Sequence, residues 1–355
     1  MRVPAGKGSL LALVPWEVSE ESLQRIRDAY PSVTVSAYHV PWGSTKVPDE
    51  VTAEQLADTT ILLAGTALPD KDAVPNLKYV QLASAGANHV LEHPLFKDTD
   101  VKFCTANGVH GPQISEWVVS TFLAFQHHIP RYLEFQREGK WNRLSDPVED
   151  AVNRRVGILG YGSIGRQVAR VCKAMGMDIH AYTFHRRDTP ESRRDNGYYL
   201  PGLGDPDGTL PSKWFSGAST AELHAFLSSG LDLVVICLPL TPKTRHIISA
   251  PEFKAMAERR TFVANIARGP IIDTDDLIAA LENGTIRGAA LDVTDPEPLP
   301  DGHPLFKTKN VIITPHVSGA SVNYSDRVLD IVSLNIGRLF SGEDLANEVS
   351  RKDGY

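Results

Sequence analysis

The chain has 355 residues, of which 42% are hydrophobic and 22% charged, an ordinary globular composition with enough length for about two domains. Its 36 basic and 43 acidic residues give a formal net charge of −7, and no long basic stretch could follow a phosphate backbone, so a nucleic-acid partner is not expected. The apolar runs Leu10–Val14 and Leu231–Leu240 are too short to cross a bilayer, so a membrane role is not expected either.

The three cysteines are far apart in the sequence. Cys104, Cys172 and Cys237 each lie beside apolar residues of an expected strand or helix, which is typical of reduced thiols in a protein core. We therefore predict a cytoplasmic protein with neither a disulfide framework nor a metal site.

Short apolar runs alternate with polar or amphipathic stretches through the first third of the chain, a rhythm typical of parallel α/β folds. Leu23, Ile26 and Tyr30 recur at helical spacing after Ser19, which predicts a first crossover helix. A longer apolar stretch, Ile114–Phe125, predicts a buried helix. The strand-like runs are Leu10–Val14, Val33–Tyr38, Thr60–Gly65, Tyr79–Ala83 and Val101–Thr105.

A second unit begins near Arg155. The strand Val156–Leu159 is followed by a cluster of glycines and then by an amphipathic helix. The pattern predicts a second doubly wound sheet, after which the helix Ser321–Phe340 is long enough to return to the first unit. The further strands expected are Ile179–Thr183, Leu233–Leu238, Thr261–Asn265, Gly288–Leu291 and Val311–Ile313.

The glycine cluster, Gly160 to Gly165, matches the pattern G-x-G-x-x-G between a strand and a helix. In such motifs the first glycine allows a tight turn, the second lets the backbone approach a pyrophosphate, and the third lets the helix pack on the strand. A plain glycine turn is the alternative, but the strand and helix around it favour a dinucleotide. The residues predicted to bind it here are Gly160, Gly162, Ser163, Ile164 and Gly165.

The end of the next strand predicts which dinucleotide is bound. Enzymes that use NAD usually have an acidic residue there for the ribose hydroxyls, whereas this chain has Thr183 followed by Arg186 and Arg187. Guanidinium groups suit a 2′-phosphate, and one charge-assisted hydrogen bond contributes about 1.5–3 kcal/mol, about ten- to a hundredfold in affinity. We predict NADP(H) as the preferred cofactor and NAD(H) as the second choice; the alternative is that both arginines only face solvent.

The segment 186–217 interrupts the α/β rhythm with several prolines and glycines and no apolar period. Loops longer than about 12–15 residues are uncommon unless they are functional or disordered. We predict a long surface loop, near the cofactor or at a subunit contact.

Several later segments together resemble the D-isomer-specific 2-hydroxyacid dehydrogenase family, in particular its NADP-type glyoxylate/hydroxypyruvate reductases. The resemblance extends from about residue 60 to residue 320. The segments that carry it are Gln81–Gly86, Leu238–Arg245, Asn265–Asp273, Ala290–Pro300 and Thr314–Gly319.

The resemblance implies that Arg268, Glu297 and His316 are catalytic. A 2-keto acid presents a carboxylate beside a ketone, so an arginine can bind the carboxylate and stabilise the ketone oxygen while an acid supplies the proton. Histidine titrates near neutral pH, and a carboxylate partner favours its protonated form. Each residue could instead be structural when taken singly.

The resemblance also implies a set of binding residues. The turn Ser84, Ala85, Gly86 would bind the substrate carboxylate through backbone N–H groups, with Asn107 and Arg268 also at the substrate. Asn88 stands where the family often has an aspartate. The remaining cofactor-binding residues implied are Leu238, Pro239, Thr244, Ala267, Asp292, His316 and Gly319.

The fold implied is α/β with two doubly wound parallel-sheet domains. A Rossmann cofactor domain, residues 126–320, is inserted into a flavodoxin-like substrate domain, residues 1–125 and 321–355. Family members are usually homodimers built on the cofactor domain, so the resemblance also implies a homodimer.

The predicted activity is NADPH-dependent reduction of a small 2-keto acid to the D-2-hydroxy acid. The family includes corepressors that sense a dinucleotide without significant turnover, but this chain has little sequence outside its two domains for recruiting partners. Formate dehydrogenases carry glutamine in place of Glu297, which disfavours that activity. A phosphite-type dehydrogenase stays open.

Overall fold

The computed structural model describes residues 7–352 and divides the chain into two units. Unit 1 comprises Met1–Val109, Gly197–Tyr199 and Ser321–Tyr355, and unit 2 comprises His110–Asn196 and Leu200–Ala320. Each unit contains one parallel sheet wound by helices. The predicted α/β class with two parallel-sheet domains is therefore confirmed.

The sheet of unit 1 has five strands in the order β2-β1-β3-β4-β5, which is the flavodoxin-like order. Its strands are β1 (Gly8–Val14), β2 (Val33–His39), β3 (Ile61–Ala64), β4 (Tyr79–Leu82) and β5 (Lys102–Cys104). Its helices are α1 (Glu20–Ala29), α2 (Ala53–Asp58), α3 (Pro94–Lys97) and α11 (Tyr324–Ser341), with the 3₁₀ helix Lys71–Ala73.

Both faces of this sheet are buried, as expected of parallel strands. Leu11 and Leu13 of β1 pack into one apolar cluster, whereas Leu10 and Ala12 pack into another that includes residues of α11. Because successive side chains of a strand point to opposite faces of the sheet, β1 contributes to the apolar clusters on both faces.

Helix α1 begins as its sequence predicts, since the Ser19 hydroxyl accepts a hydrogen bond from the Ser22 N–H group at 3.2 Å. The Ser22 hydroxyl in turn donates to the Asp326 carboxylate of α11 at 2.6 Å. Helix α11, which lies late in the chain, therefore packs in the same unit as β1 and α1.

The sheet of unit 2 has seven strands in the order β12-β11-β10-β9-β6-β7-β8. This is the Rossmann order with one strand added at an edge. Its strands are β6 (Arg155–Leu159), β7 (Asp178–Thr183), β8 (Lys213–Ser216), β9 (Leu233–Ile236), β10 (Phe262–Asn265), β11 (Gly288–Leu291) and β12 (Val311–Ile313). Its helices are α4 (Gly111–Gln126), α5 (Ile129–Arg137), α6 (Ser163–Ala174), α7 (Pro190–Arg193), α8 (Thr220–Leu227), α9 (Ala250–Ala255) and α10 (Thr274–Glu282), with the 3₁₀ helices Gly269–Ile271 and Pro304–Lys307.

The predicted domain boundary after residue 125 differs from the structural division by one helix. Helix α4 belongs to unit 2 because Phe122 packs against Phe262 of β10, with ring centroids 5.8 Å apart, and Gly111 lies against the side chain of Gln167 in α6. The predicted return at residue 321 coincides with the structural division. Residues 1–6 and 353–355 of the predicted first domain lie outside the described residues.

The prediction that residues 186–217 form a loop throughout is wrong for two segments. Residues 190–193 form α7, and residues 213–216 form β8, which pairs in parallel with β7 at the edge of the sheet. Only Trp214 and Phe215 are apolar in β8, so the sequence showed no strand-length apolar run there. Within the same segment, residues 197–199 group with unit 1, where the Tyr198 N–H group donates to the Asn347 side chain at 3.2 Å.

Among residues 7–352, no helix is long and apolar enough to cross a membrane. The same part of the chain contains no group of three or more histidine, cysteine, aspartate or glutamate side chains arranged to hold a metal ion.

Candidate active site

The segments that carry Arg268, Glu297 and His316 follow three neighbouring strands of unit 2. Strands β10, β11 and β12 pair in parallel and end in register with one another. Ligands of doubly wound sheets bind at this carboxyl edge. The three residues are therefore presented from the same edge of the sheet.

The backbone on either side of Arg268 is tightly fixed. A Cβ atom on Gly269 would lie 1.8 Å from the carbonyl oxygen of Thr294, so this position requires glycine and the segment after β10 packs directly on the segment after β11. The buried Asn265 amide donates to the Arg268 carbonyl at 3.1 Å and accepts from the Ala267 N–H group at 3.1 Å. The side chain of Arg268 therefore extends from a turn whose backbone is held by these contacts.

The Arg268 guanidinium is half-buried and donates from Nη1 to the carbonyl of Ala267 at 2.6 Å. Burial lowers the pKa of Arg268, while the charge of Glu297 raises it. An arginine still keeps its proton because its ordinary pKa lies far above neutral pH. Arg268 is thus a permanent cation, held by a carbonyl and by the field of Glu297.

Asp292 organises the backbone around His316. Its buried carboxylate accepts hydrogen bonds from the Thr314 hydroxyl at 2.5 Å, the Val317 N–H group at 2.9 Å, and the N–H and hydroxyl groups of Ser318 at 2.9 and 2.5 Å. Its main-chain carbonyl accepts from the His316 N–H group at 2.8 Å. One carboxylate at the end of β11 therefore shapes the turn after β12.

His316 and Glu297 form a hydrogen-bonded pair, with 2.6 Å between Nδ1 and Oε1. An ionised carboxylate can only accept, so Nδ1 carries the proton of this bond and Nε2 is the ring atom that can exchange a proton with a ligand. The two side chains are 47% and 40% exposed, so the ring is accessible. His316 has a φ of 55°, a left-handed conformation that is rare for a residue with a side chain and occurs often at functional sites.

The glycine-rich turn has the geometry that its pattern predicts. Gly160 has a φ of 103°, and a Cβ there would lie 2.8 Å from the carbonyl of Cys237. A Cβ on Gly165 would lie 2.5 Å from the carbonyl of Gly160, so that glycine lets α6 pack against the turn. Around Gly162 no atom lies within 4 Å of an added Cβ, so its backbone faces open space.

Helix α6 begins directly at this open space. Gly162 is its N-cap and offers no side-chain cap, and the first helical residues are Ser163, Ile164 and Gly165. The N–H groups of a first helical turn point out of the helix and attract anions. The turn and the start of α6 therefore fit the anionic pyrophosphate of a dinucleotide.

The turn after β9 faces the glycine-rich turn, since β9 pairs with β6. Leu238 is half-buried against the apolar cluster of unit 2. The Thr244 hydroxyl donates to the carbonyl of Pro239 at 2.7 Å and accepts from the Thr241 N–H group at 2.8 Å. Thr244 therefore holds the shape of the turn that presents Leu238 and Pro239.

The arginines after β7 have different surroundings from each other. Thr183 ends β7 and donates from its hydroxyl to the carbonyl of His185 at 2.7 Å. Arg186 is 82% exposed and pairs with Asp188 at 3.2 Å, whereas Arg187 is half-buried and donates to the carbonyl of Ser192. Arg186 can therefore turn toward a ligand, but Arg187 already holds its own loop.

The predicted substrate residues of unit 1 are held by hydrogen bonds to one another and to other residues of unit 1. The Ser84 hydroxyl donates to the carbonyl of Gly86 at 2.7 Å, and the Ser84 carbonyl accepts from the Ala106 N–H group at 2.8 Å. Ala85 is half-buried between Ser84 and Gly86. The carbonyl of Asn107 accepts from the Asn347 amide at 2.8 Å. Their role in binding substrate stays a prediction.

Helix α4 contributes two side chains that sequence reasoning missed. Trp117 donates from its indole N–H group to the Thr314 hydroxyl at 3.1 Å, and Gln113 donates to the carbonyl of Gly319 at 3.0 Å. Both hold the segment that carries His316. The predicted boundary had assigned α4 to the other domain, so only its packing in the structure reveals this support.

The fold and the site define a class. The Rossmann sheet has a glycine-rich turn at the start of α6, and its carboxyl edge carries an arginine and a histidine–carboxylate pair. These are the parts of a dinucleotide-dependent oxidoreductase. The family model described as the NAD binding domain of D-isomer specific 2-hydroxyacid dehydrogenases matches residues 119–202 and 209–318, more than half of the chain. The chain belongs to the D-isomer specific 2-hydroxyacid dehydrogenase family and is an NAD(P)-dependent enzyme acting on CH–OH groups. The resemblance stated from the sequence is confirmed.

Relatives of known name agree with this family. A glyoxylate reductase of Thermococcus gammatolerans is 30% identical over 319 residues, 84% of this chain and 85% of the relative. A hydroxypyruvate reductase of Blautia hydrogenotrophica is 27% identical over 274 residues, 76% of this chain and 77% of the relative.

Solved structures of family members have the same fold across nearly the whole chain. A D-isomer specific 2-hydroxyacid dehydrogenase from Xanthobacter autotrophicus, in complex with NADPH and MES, has a TM-score of 0.76 at 26% identity, covering 99% of this chain and all of its own. An NADPH-dependent glyoxylate/hydroxypyruvate reductase from Sinorhizobium meliloti, in complex with NADP and sulfate, has a TM-score of 0.75 at 25% identity, covering 98% of this chain and all of its own.

Proposed function

We propose that this chain reduces a small 2-keto acid to the D-2-hydroxy acid with NADPH, using Arg268, Glu297 and His316. The observation that carries the proposal is the 2.6 Å hydrogen bond between His316 Nδ1 and Glu297 Oε1, which leaves Nε2 to exchange the substrate proton. Arg268, whose pKa responds to the charge of Glu297, adds a permanent cation at the same sheet edge.

Each residue has one task in this proposal. The dinucleotide, when bound, supplies the hydride to C2 of the keto acid. Arg268 binds the carboxylate of the substrate and stabilises the charge that develops on its carbonyl oxygen. His316 gives the proton on Nε2 to that oxygen, and Glu297 stabilises the protonated ring and fixes its orientation through Nδ1. In the reverse direction His316 takes the proton from the hydroxyl group.

The preference for NADPH rests on the chemistry at the end of β7. Thr183 offers no carboxylate that would repel a 2′-phosphate, and the exposed Arg186 is within the next few residues. Lys243 adds a further cation, with its ammonium 5.2 Å from the ring centre of Phe184. The two family structures named above contain NADPH or NADP, which supports the same choice. NAD(H) is the expected weaker cofactor.

The test is a panel of initial rates measured with the purified chain. NADPH and NADH are each oxidised with glyoxylate, hydroxypyruvate, 2-ketoisocaproate and phenylglyoxylate. Turnover that favours NADPH supports both the reductase and the cofactor preference, and the best keto acid identifies the substrate class. Turnover that favours NADH keeps the reductase and removes the cofactor preference, whereas no turnover with any pair contradicts the proposed reaction.

We further propose that the chain forms a homodimer through unit 2. Helix α5 and the segment after it expose apolar side chains, among them Ile129, Leu133 and the fully exposed Trp141. Such surfaces are typical of protein–protein contacts. Light scattering during size-exclusion chromatography measures the mass: twice 38.9 kDa supports the dimer, and a monomer at all concentrations contradicts it.

A cytoplasmic location also stays a proposal. All three cysteines are free thiols, and burial raises the pKa of Cys172 and of Cys237 to about 12 each. Such thiols stay protonated at neutral pH and resist oxidation. Labelling the chain with a green fluorescent protein and imaging it in its native cell would test the location directly.

A further inference from the structure

Two side chains next to the glycine-rich turn are buried although neither packs as a simple apolar residue. Tyr161 occupies the second position of the turn and Arg166 lies in the first turn of α6; they are 5% and 4% exposed. The Arg166 guanidinium lies 5.1 Å from the centre of the Tyr161 ring, a cation–π distance. A buried arginine requires partners for its charge, so the groups around it are informative.

The partners of both side chains come from the segment between β7 and β8. Tyr161 donates from its hydroxyl to the Asp205 carboxylate at 2.7 Å. Arg166 donates to the carbonyl of Asp205 at 2.5 Å and to the carbonyl of Arg193 at 2.7 Å, and it forms an ion pair with Asp195 at 3.5 Å. The glycine-rich turn and this segment are thus joined by buried polar contacts.

Asp205 fixes its own loop as well. Its carboxylate accepts from the N–H groups of Thr209 and Leu210 at 2.9 and 3.1 Å, in addition to the Tyr161 hydroxyl. Burial, and then the charge of Asp205, raises the pKa of Tyr161, so the phenol stays a donor over the whole working pH range. The Thr209 hydroxyl adds a longer contact at 3.4 Å. The carboxylate therefore accepts hydrogen bonds both from its own loop and from the cofactor turn.

The same contacts reach the arginines that follow β7. Arg193, whose carbonyl is bound by Arg166, donates from Nε to the carbonyl of Arg187 at 2.8 Å. Arg187 in turn donates to the carbonyl of Ser192. Residues 187–193 thus form a closed loop, which Arg166 holds beside the start of α6.

Part of this arrangement lies outside the family pattern. The family model matches residues 119–202 and 209–318, so residues 203–208, which include Asp205, fall between the two matched ranges. Gly204 within this stretch donates its N–H group to Gln167 of α6 at 2.7 Å. The residues between the two matched ranges are therefore fastened to α6.

We propose that Tyr161, Arg166 and Asp205 are positioning residues for residues 186–194, the segment after β7 that contains four arginines. They hold this segment at the ribose end of the dinucleotide and so set the preference for NADPH over NADH. The inference rests on the proposed NADPH preference and adds residues to it that do not touch the 2′-phosphate. If these contacts are loosened, the affinity for NADPH falls most, because a charge-assisted hydrogen bond requires a donor already held in place. NADH lacks the 2′-phosphate, so its affinity falls little.

The experiment measures the dissociation constants of NADPH and NADH for the purified full chain by fluorescence titration, without substrate. Tyr161→Phe removes one hydroxyl, Asp205→Asn removes one charge, and the double variant tests whether the two act as a pair. Tyr30→Phe is the matched control, since that buried tyrosine of unit 1 donates to the carbonyl of Ser333 at 2.5 Å. A ratio of two dissociation constants within one variant is insensitive to a smaller folded fraction.

We expect the ratio of the NADH to the NADPH dissociation constant to fall about tenfold in Tyr161→Phe and in Asp205→Asn, with a double variant no worse than the more severe single one, and to stay constant in Tyr30→Phe. Deuterium exchange of residues 186–210 should rise in the two unit 2 variants only. If the wild-type chain prefers NADPH but the ratio is the same in all variants, the positioning role is overturned and the proposed function stands. If the wild-type chain itself shows no preference, the NADPH part of the proposed function fails, and the positioning role fails with it.

Discussion

Two regions at the carboxyl edge of the seven-stranded sheet are held in place in different ways. The turns after β10, β11 and β12, which present Arg268 and His316, are fixed mainly by backbone packing and by one buried carboxylate, Asp292. The segment after β7, which presents Arg186, is fixed by side chains that reach to it from α6. The first region is short and close to the strands, whereas the second extends over about thirty residues of chain.

The difference suits the tasks proposed for the two regions. Proton transfer requires the donor atom within hydrogen-bond reach of the substrate oxygen, and a misplacement of about 1 Å can cost a hundredfold in rate. The choice between NADPH and NADH depends instead on a cation held where the 2′-phosphate binds, because a charge-assisted hydrogen bond requires a donor already in place. We therefore expect changes in the first region to lower the catalytic rate, and changes in the second to alter the choice of cofactor.

The largest effect is expected from His316→Ala, which removes the proposed proton donor. General acid catalysis contributes about 10²–10⁴-fold, so kcat for keto-acid reduction should fall by that factor. Stopped-flow reduction of the keto acid measures this rate. His127→Ala, at an exposed helix end, is the control. A reduction rate close to that of the wild type in His316→Ala would remove the assignment.

A smaller effect is expected from Glu297→Gln, which keeps the size of the side chain and removes its charge. The carboxylate stabilises the protonated ring of His316 through the 2.6 Å hydrogen bond, so without it the rate of keto-acid reduction should fall about tenfold to a hundredfold at pH 7.

Stopped-flow reduction of the keto acid at pH 7 compares Glu297→Gln with the wild type, and the exposed Glu343→Gln is the control. Equal reduction rates for the wild type and Glu297→Gln would contradict a role of this carboxylate in proton transfer.

The smallest effect is expected in the second region. Arg186→Ser should raise the KM for NADPH about tenfold and leave the KM for NADH and both kcat values nearly unchanged, since one charge-assisted hydrogen bond is lost. Arg187→Ser should lower the midpoint temperature of thermal unfolding, because Arg187 donates a hydrogen bond to the carbonyl of Ser192. Steady-state kinetics with both cofactors and thermal unfolding separate these roles, and Arg143→Ser, at another exposed position, is the control. Equal losses with NADPH and NADH in Arg186→Ser would exclude a contact with the 2′-phosphate.

Much of the fold could be predicted because the strands of buried parallel sheets are short, continuous apolar runs. Strand β8 could not, since its two apolar residues are flanked by Lys213 and Ser216 and it pairs on one side only. The boundary after residue 125 was also missed. Helix α4 is apolar on the face it buries, and periodicity alone does not say against which sheet a helix packs.

The sequence by itself determined the doubly wound fold, the glycine-rich turn and its three distinct glycines, and the family to which the chain belongs. These follow from local patterns, since periodicity and glycine spacing are properties of neighbouring residues. Only the tertiary structure decided that Asp292 shapes the turn of His316, that Trp117 supports Thr314, and that Tyr161 and Arg166 hold the segment around Asp205. Those contacts join residues that are far apart in the chain, and a buried polar group finds its partner only when packing excludes water and brings the two together.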